Sequence, residues 1–286
     1  MKSIAILMHE CYRRRSHTYL IDSLAEVWNK QGLRASCLYG VREPCDADLL
    51  IPHIDLTRTP REYVEYVRAF PGAAGRGVAD ISKRRVSAQL LSRGDGYHGP
   101  VMVKTDANSG GLPEDWLFRW RHPSLARAEA LLEPLLQPLC GGPWARLRVL
   151  REYPVYPSPA EVPKGVFRNR ALVVERFLPE REGARYFMRH YLFLGDRARS
   201  TRVAGSVPFL KRAACATVDE GLPVPDEVIA LRRRLALDYG KIDYVMHGGK
   251  AVILDANRTP AGPGTPEATA RTVGDLADGI WSLLAK

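Results

Sequence analysis

Two strand-like runs lie near the C-terminus of this 286-residue chain and are joined by His247-Gly248-Gly249. Successive side chains of a strand point to opposite faces. Lys241 and Asp243 therefore share one face of the first run, and Asp255 and Asn257 share one face of the second. The sequence predicts a β-hairpin with polar side chains grouped on one face of each strand.

The length of the turn decides whether these two groups meet. Opposed residues of an antiparallel hairpin point to the same side, so Asp243 and Asp255 share a face only if the loop has an odd number of residues. A three-residue loop at His247-Gly248-Gly249 meets this condition and pairs Met246 with Lys250, with a glycine at positive φ. A two-residue Gly-Gly loop would place the carboxylates on opposite faces. We expect the three-residue loop.

With that loop, one patch holds two carboxylates, one amide oxygen and one lysine. Mg²⁺ usually binds one or two carboxylates and fills its other positions with water and substrate phosphates. The pattern therefore predicts a Mg²⁺ site at Asp243, Asp255 and Asn257, with Mn²⁺ as the alternative ion and Lys241 beside the phosphates. A surface hairpin with solvated charges is the alternative interpretation.

Composition is typical of a soluble globular protein, with 45% hydrophobic and 26% charged residues. No apolar run approaches the ~20 residues that cross a membrane, so we expect a cytoplasmic protein with no membrane partner. The five cysteines are odd in number and lack C-x-x-C spacing. This pattern favours reduced thiols over disulfides or a zinc site.

The net charge of +10 is spread along the chain, apart from the clusters Arg13-Arg14-Arg15 and Arg232-Arg233-Arg234. No RRM, zinc-finger or basic-zipper pattern is present, so we expect no specific nucleic-acid partner, and nonspecific binding is the alternative. The first cluster, with His17, follows the first predicted strand, where open α/β sheets bind ligands. It either contacts an acidic acceptor or forms a solvated loop.

The order of predicted elements indicates a small parallel sheet followed by a strand-rich region. Strands at Ser3–Met8, Arg34–Tyr39 and Ala47–Pro52 enclose an amphipathic helix that ends near Gly32. No G-x-G-x-x-G follows the first strand, which argues against a nicotinamide dinucleotide site. Further strands are predicted at Val101–Thr105, Ala171–Phe177, Tyr186–Leu194 and Arg199–Val203, and helices at Arg84–Leu91, Ser124–Leu139, Asp226–Tyr239 and Glu267–Leu284.

Four local patterns occur in a fixed order along the chain. Lys83 precedes a strand that ends in Lys104, and the loop Asn108-Ser109-Gly110-Gly111 follows that strand. Glu175 then lies in the apolar run Val173–Leu178, and the metal hairpin comes last. Together these patterns resemble the ATP-grasp superfamily nearly from end to end. The resemblance is to its carboxylate–amine or thiol ligases, with a C-terminal half similar to that of D-alanine–D-alanine ligases.

The resemblance implies an α/β chain, α+β in part, with the ATP-grasp fold. An N-terminal Rossmann-like parallel-sheet subdomain would precede two α+β subdomains that enclose the nucleotide. The expected boundaries are 1–78 for the N-terminal domain, 79–178 for the central subdomain with its phosphate loop and hinge strand, and 179–286 for the C-terminal subdomain with the metal hairpin.

The resemblance also implies a set of site residues. Phosphate contacts fall to Lys83, Lys104, Asn108, Ser109, Gly110 and Gly111; adenine contacts to Glu175, Arg176, Phe177 and Leu178; and ribose contacts to Glu182 or, alternatively, Glu180. Lys241 or Arg202 would be a further cation near the γ-phosphate. Arg258 would face the acceptor carboxylate or acylphosphate, with a structural role in fixing the following turn as the alternative.

The function implied by the resemblance is an ATP- and Mg²⁺-dependent ligase. It would activate a carboxylate as an acylphosphate and couple it to an amine, on a small-molecule or peptide substrate. The alternatives are an ATP-grasp kinase that phosphorylates a hydroxyl, and a nucleotide-binding module without turnover. The sequence leaves the oligomeric state open between monomer and homodimer.

Overall fold

The computed structural model describes residues 1–13, 19–139, 142–208, 216–262 and 264–285, and the side chains of all of these except 133–139. Of the first basic cluster, Arg14, Arg15 and His17 lie outside the described residues. The chain divides into two compact units, Met1–Ile81 with Pro179–Lys286, and Ser82–Leu178. The expected segments 1–78 and 179–286 thus fall in one unit, and the three-domain division stays a prediction.

The first unit begins with a three-stranded parallel sheet. Strand β1 (Ser3–Met8) lies between β2 (Arg34–Tyr39) and β3 (Leu49–Pro52), and helix α1 (Leu20–Lys30) packs against this sheet. All six residues of β1 are buried, as expected for a central strand with both faces covered. The predicted bounds of the first two strands are confirmed, and the third begins at Leu49 rather than Ala47. Helix α2 (Arg61–Ala69) follows.

The second sheet of this unit has six strands that pair in an antiparallel manner. They are β8 (Glu180–Glu182), β9 (Arg185–Leu194), β10 (Arg197–Gly205), β11 (Ala216–Glu220), β12 (Tyr239–His247) and β13 (Lys250–Asn257). The order is β11-β10-β9-β12-β13, and β8 also pairs with β9. The central position of β9 and β12 places their side chains at the middle of both faces.

Helices α7 (Asp226–Arg234), α8 (Pro266–Leu276) and α9 (Gly279–Leu284) complete the first unit and correct two predictions. The helix predicted to reach Tyr239 ends at Arg234, since Ala236 takes a positive φ of 51° and Tyr239 begins β12. The single predicted closing helix is two helices. The Trp28 indole N–H donates to the Ala277 carbonyl at 2.9 Å, just where the two helices meet.

The second unit is built on a four-stranded antiparallel sheet of order β4-β7-β5-β6. Its strands are β4 (Leu90–Leu91), β5 (Val101–Thr105), β6 (Val155–Tyr156) and β7 (Leu172–Arg176), and its helices are α3 (Lys83–Val86), α4 (Leu112–Arg121), α5 (Pro123–Leu139) and α6 (Lys164–Arg168). The helix predicted over Arg84–Leu91 is wrong in its second half, because Leu90 and Leu91 pair with β7 as a strand.

The predicted class, a mixed α/β chain with a parallel sheet followed by antiparallel sheets, is confirmed. Within the described residues, no helix is both long enough and apolar enough to cross a membrane.

Candidate active site on the second sheet

The turn between β12 and β13 differs from the prediction. It is the two-residue turn Gly248-Gly249, and His247 pairs directly with Lys250. Both glycines have positive φ, 57° and 76°, as a type I′ hairpin turn requires. The expected three-residue loop is therefore wrong.

A β-bulge restores the alignment that the short turn would otherwise destroy. Tyr244 pairs with Ile253, whereas the next pair along the hairpin is Asp243 with Asp255. Leu254 is the extra residue, and it shifts the rest of β13 by one position. The two carboxylates thus lie on the same face for a reason that the sequence did not indicate.

Polar side chains of the hairpin share one face of the sheet. Lys241 opposes Asn257 and Asp243 opposes Asp255, and all four are partly buried. On the other face, Ile242 and Ala256 are fully buried. The alternation predicted from the sequence therefore holds around the bulge.

Asp243 has two close partners on this face. Its Oδ2 lies 2.9 Å from Lys241 Nζ, and its Oδ1 lies 2.6 Å from His190 Nδ1. His190 is directly opposite Asp243 on β9. Sequence analysis did not single out His190, although its polar side chain between Met188 and Leu192 on one strand face was an available signal.

The Asp243 carboxyl is ionised at neutral pH. Burial opposes ionisation, but the charges and hydrogen bonds of Lys241 and His190 outweigh it and hold the pKa of Asp243 well below its usual range. Asp243 is therefore an anionic oxygen donor of the kind that a hard cation binds.

Asn257 is held in place by the turn that follows it. Its Oδ1 accepts a hydrogen bond from the Thr259 backbone N–H at 2.8 Å and lies 3.1 Å from the Thr259 hydroxyl. That hydroxyl has one proton and lies closer, at 2.9 Å, to Asp55 Oδ1, while the Tyr19 hydroxyl donates to the other oxygen of Asp55, Oδ2, at 2.7 Å. One acceptor position of Asn257 Oδ1 therefore remains for a ligand.

This donor set fits Mg²⁺ in its chemistry. Asp243, Asp255 and Asn257 offer two carboxylates and one amide oxygen on one face. In the described parts of the chain, no three His, Cys, Asp or Glu side chains cluster as a metal site. An ion bound here would thus need the amide oxygen or substrate oxygens as well as the two carboxylates.

Arg202 does not share this face. In the register of β9 and β10, Thr201 opposes His190 and Arg202 opposes Arg189, so Arg202 points to the other side of the sheet from Asp243. Its guanidinium lies 3.7 Å from the centre of the Phe187 ring. Arg202 thus lies on the opposite face from Lys241, the other cation expected near the γ-phosphate, and its phosphate role stays a prediction.

Two acidic residues were candidates for the ribose, and they differ in accessibility. Glu180 is buried; it accepts hydrogen bonds from Arg189, from Arg202 and from the Met246 backbone N–H at 2.8 Å. Burial raises its pKa, yet these donors together hold the pKa below the ordinary value. The Glu182 side chain is 65% exposed and pairs with Arg202. Glu182 is the one that a ligand can reach.

Arg258 is a buried anchor within the first unit. Its guanidinium donates to the carbonyls of Leu56, Thr57 and Val78 at 2.9–3.0 Å, and to the Thr59 hydroxyl. A buried arginine with these acceptors fixes neighbouring loops. Its contacts favour the structural alternative over contact with an acceptor carboxylate.

In the second unit, Lys104 and Glu175 form a buried ion pair. Lys104 Nζ lies 2.7 Å from Glu175 Oε2, and both side chains are at least nine-tenths buried. Glu175 Oε1 has no hydrogen-bond partner among the described residues. An unpaired buried carboxylate oxygen costs about 1–3 kcal/mol, so a ligand that donates a hydrogen bond there would be favoured.

The loop after β5 is a compact turn. Lys83 is buried and its Nζ lies 2.8 Å from Asn108 Oδ1, while Ser109, Gly110 and Gly111 all have positive φ. A Cβ on Gly110 would lie 2.2 Å from the Leu150 carbonyl oxygen, and one on Gly111 would meet the Arg148 carbonyl equally closely. Close packing against residues 148–150 thus requires glycine at positions 110 and 111, and this requirement holds whether or not the loop binds phosphate.

The hinge residues after Glu175 use part of their backbone within the unit. The N–H groups of Arg176 and Phe177 donate to the carbonyls of Gln89 and Pro100 at 2.9 and 2.8 Å. Both N–H groups are therefore already used as donors and would not donate to a nucleotide. The Arg176 guanidinium lies over the Tyr97 ring at 5.1 Å. The ligand role of the hinge, including Leu178, stays a prediction.

Comparison with known proteins gave structural neighbours only. No family model matches the chain, and no curated protein matches it. A structure of the ATP-grasp ligase PsnB with its minimal precursor covers 99% of this chain and 100% of its own, at 10% identity and a TM-score of 0.54. A structure of PsnB with a phosphomimetic variant of the minimal precursor, Mg and ADP covers 99% of this chain and 99% of its own, at 10% identity and a TM-score of 0.52. D-alanine–D-alanine ligase of Bacillus anthracis covers 100% of this chain and 96% of its own, at 11% identity and a TM-score of 0.48.

Proposed function

We propose that this chain, which has the ATP-grasp fold, is an ADP-forming, Mg²⁺-dependent ligase that joins a carboxylate to an amine on a small-molecule or peptide substrate. The observation that carries the proposal is the hairpin face on which Asp243 opposes Asp255 and Lys241 opposes Asn257. Oxygen donors beside a cation suit a bound metal and the phosphates of ATP.

The proposed reaction has two steps. A substrate carboxylate oxygen attacks the γ-phosphorus of ATP, the bond from that phosphorus to the β–γ bridging oxygen breaks, and ADP leaves. The nitrogen of an amine then attacks the carbonyl carbon of the acylphosphate. A C–N bond forms, the C–O bond to the phosphoryl group breaks, the amine loses a proton, and inorganic phosphate leaves.

The residues of the first unit would act by charge and position. When bound, Mg²⁺ would neutralise phosphate charge. Asp243, Asp255 and Asn257 would hold it, and Lys241 would offer its ammonium to a phosphate oxygen. His190 would keep the Asp243 carboxylate oriented through the 2.6 Å contact. Such fixed charges favour phosphoryl transfer because they need no rearrangement as charge develops.

The residues of the second unit would bind the nucleotide itself. Glu175 Oε1 is a buried acceptor that suits a ligand N–H donor such as the exocyclic amine of adenine. Lys104 keeps further donor positions beyond its bond to Glu175, and Lys83 is a second buried ammonium. A compact ammonium is suited to a phosphate oxygen.

A product analysis tests the proposed function. The protein is incubated with Mg²⁺, ATP and pairs drawn from a panel of carboxylic acids and amines, and ADP release and product mass are measured. We expect ADP release that depends on the amine, together with an amide product. A stable phosphate ester would indicate a kinase that phosphorylates a hydroxyl. Nucleotide binding without turnover on any pair would indicate a nucleotide-binding module. Either result contradicts the proposed ligase activity.

A double variant tests the nucleotide role of the buried pair. Removing Lys104 alone would leave the Glu175 charge buried and cost about 3–5 kcal/mol of stability. Lys104→Met with Glu175→Leu avoids this, and we expect its ATP affinity to fall at least about 100-fold by calorimetry. Lys164→Ala, which removes an exposed lysine of the same unit, serves as the control. Unchanged ATP affinity in the double variant would remove this assignment.

A further inference from the structure

A cavity of about 240 Å³ lies in the first unit, between one face of the six-stranded sheet and helix α8. Met188, His190 and Leu192 of β9 and Thr201 and Val203 of β10 contribute to the sheet side. Its volume is just below the usual range of about 300–1,000 Å³ for small-molecule sites. It therefore suits a ligand about the size of one amino acid with an apolar body.

Helix α8 supplies the opposite wall. Ala268, Arg271 and Thr272 line the cavity, and they lie three and four positions apart, which puts them on one side of the helix. Thr272 is buried with its hydroxyl donating to the Ala268 carbonyl at 2.9 Å. Arg271 is exposed and, in the part of the chain that the structure describes, makes no hydrogen bond or ion pair. Its guanidinium is available to a ligand.

The ion pairs of the cavity wall leave one lining cation without a partner among the described residues. The cavity is lined by three basic residues (Arg199, Lys241 and Arg271) and two acidic ones (Glu220 and Asp243). Arg199 pairs with Glu220 at 2.7 Å and also with Asp275, and Lys241 pairs with Asp243 at 2.9 Å. Among the described residues, Arg271 is the cation of the wall that has no ion pair, so an anionic group is favoured beside its guanidinium.

We infer that this cavity binds a small carboxylate substrate of the ligase, and that Arg271 recognises its negative charge. The inference rests on the proposed function, because Lys241 and Asp243 belong both to the cavity wall and to the face of the metal ligands. A substrate held here would lie beside that face. The planar guanidinium of Arg271 can bind a carboxylate through two parallel hydrogen bonds, which a carboxamide cannot accept equally well.

Binding of free amino acids and their carboxamides tests this inference. The twenty standard amino acids and the matching carboxamides are screened by saturation-transfer NMR, with Mg²⁺ and a non-hydrolysable ATP analogue present. We expect at least one free acid to bind, and its carboxamide to bind at least about 10-fold more weakly. Arg271→Gln should lose that preference, with affinity for the acid falling at least about 10-fold.

Arg233→Gln is the matched control, because Arg233 is an exposed helical arginine of the same unit outside the cavity. It should bind like the wild type. The inference is overturned if no free acid binds, if acid and carboxamide bind equally, or if Arg271→Gln binds the acid unchanged. Calorimetry of the ATP analogue with the same proteins separates the two claims. Intact nucleotide binding with any of these results contradicts only the inference, whereas no Mg²⁺-dependent nucleotide binding contradicts the proposed function.

Discussion

The two faces of the six-stranded sheet carry similar charged residues and use them differently. On one face, the buried Glu180 pairs with Arg189 and Arg202 and accepts a backbone N–H. On the other face, Asp243 and Asp255 lie opposite each other and are only partly buried. Beside them is a cavity whose Arg271 has no ion pair with any described residue.

The difference shows that residue type alone does not mark a site. Glu180 and its arginines satisfy one another, and such a network stabilises or specifies the fold. The metal-ligand face instead offers carboxylate and amide oxygens that can bind a metal ion, and an arginine that can bind an anionic ligand. Breaking one face should therefore change stability, and breaking the other should change activity.

The largest expected effect is on activity, from the hairpin. We expect Asp255→Asn to lower turnover about 1,000-fold, roughly 4 kcal/mol of transition-state stabilisation, because one anionic metal ligand is lost. The free energy of unfolding should change by less than about 1 kcal/mol. ADP release per folded molecule and urea unfolding check the two parts. Turnover within 10-fold of wild type would contradict the metal assignment.

The next effect is on stability, from the opposite face. Glu180→Gln leaves Arg189 and Arg202 without their shared carboxylate, so we expect the free energy of unfolding to fall by about 3 kcal/mol. Turnover per folded molecule should stay within a few-fold. Glu182→Gln, at an exposed position, should cost less than about 1 kcal/mol of stability. Equal costs for the two variants would mean that the Glu180 network does not stabilise the fold.

A smaller effect is expected at the turn of the hairpin. Gly248 has a φ of 57°, so Gly248→Ala should cost about 1 kcal/mol of stability. Gly274→Ala is the control, since Gly274 lies within α8 and a Cβ there would meet nothing within 4 Å. That variant should be stabilised by up to about 1 kcal/mol. Thermal unfolding measures both, and a stabilised Gly248→Ala would contradict the type I′ turn.

The smallest effect is a pH dependence of the Glu180 contribution. Its pKa is lower in the folded state than its ordinary value. The stabilisation it gives is therefore present above that ordinary value, about 4.3, and is lost as pH falls through the folded pKa. We expect the difference in unfolding free energy between wild type and Glu180→Gln to shrink between pH 7 and pH 3. If this difference in unfolding free energy grew as the pH fell, the lowered pKa of Glu180 in the folded state would be contradicted.

Much of the fold could be predicted because the patterns were clear. The run Ser3–Met8 is buried on both faces of the strand, so it could be predicted without deciding which face points to the core. The alternation of Lys241 and Asp243, and of Asp255 and Asn257, correctly predicted which side chains share a face. The strands predicted after residue 100 are observed in that order, because short apolar runs there end at polar or glycine-rich turns, but the short strands β6, β8 and β11 were not predicted.

What failed had no local signal. The bulge falls in Val252-Ile253-Leu254, three apolar residues in succession, so a one-residue shift of phase does not show in the hydrophobic pattern. The face of Arg202 was equally hidden, because Arg197 to Arg202 contains almost only polar residues. His190 differs from these cases: its polar side chain between Met188 and Leu192 was a local signal, but its role became clear only from its partner Asp243 on the neighbouring strand.

The affinity of the hairpin face for a divalent metal can be measured by itself. Mn²⁺ is titrated by calorimetry into wild type, Asp255→Asn and Glu180→Gln, each with a non-hydrolysable ATP analogue at saturation. If the hairpin face holds the metal, wild type and Glu180→Gln bind Mn²⁺ alike and Asp255→Asn binds it at least about 100-fold more weakly. Equal Mn²⁺ affinity in all three proteins would mean that Asp255 does not hold the metal.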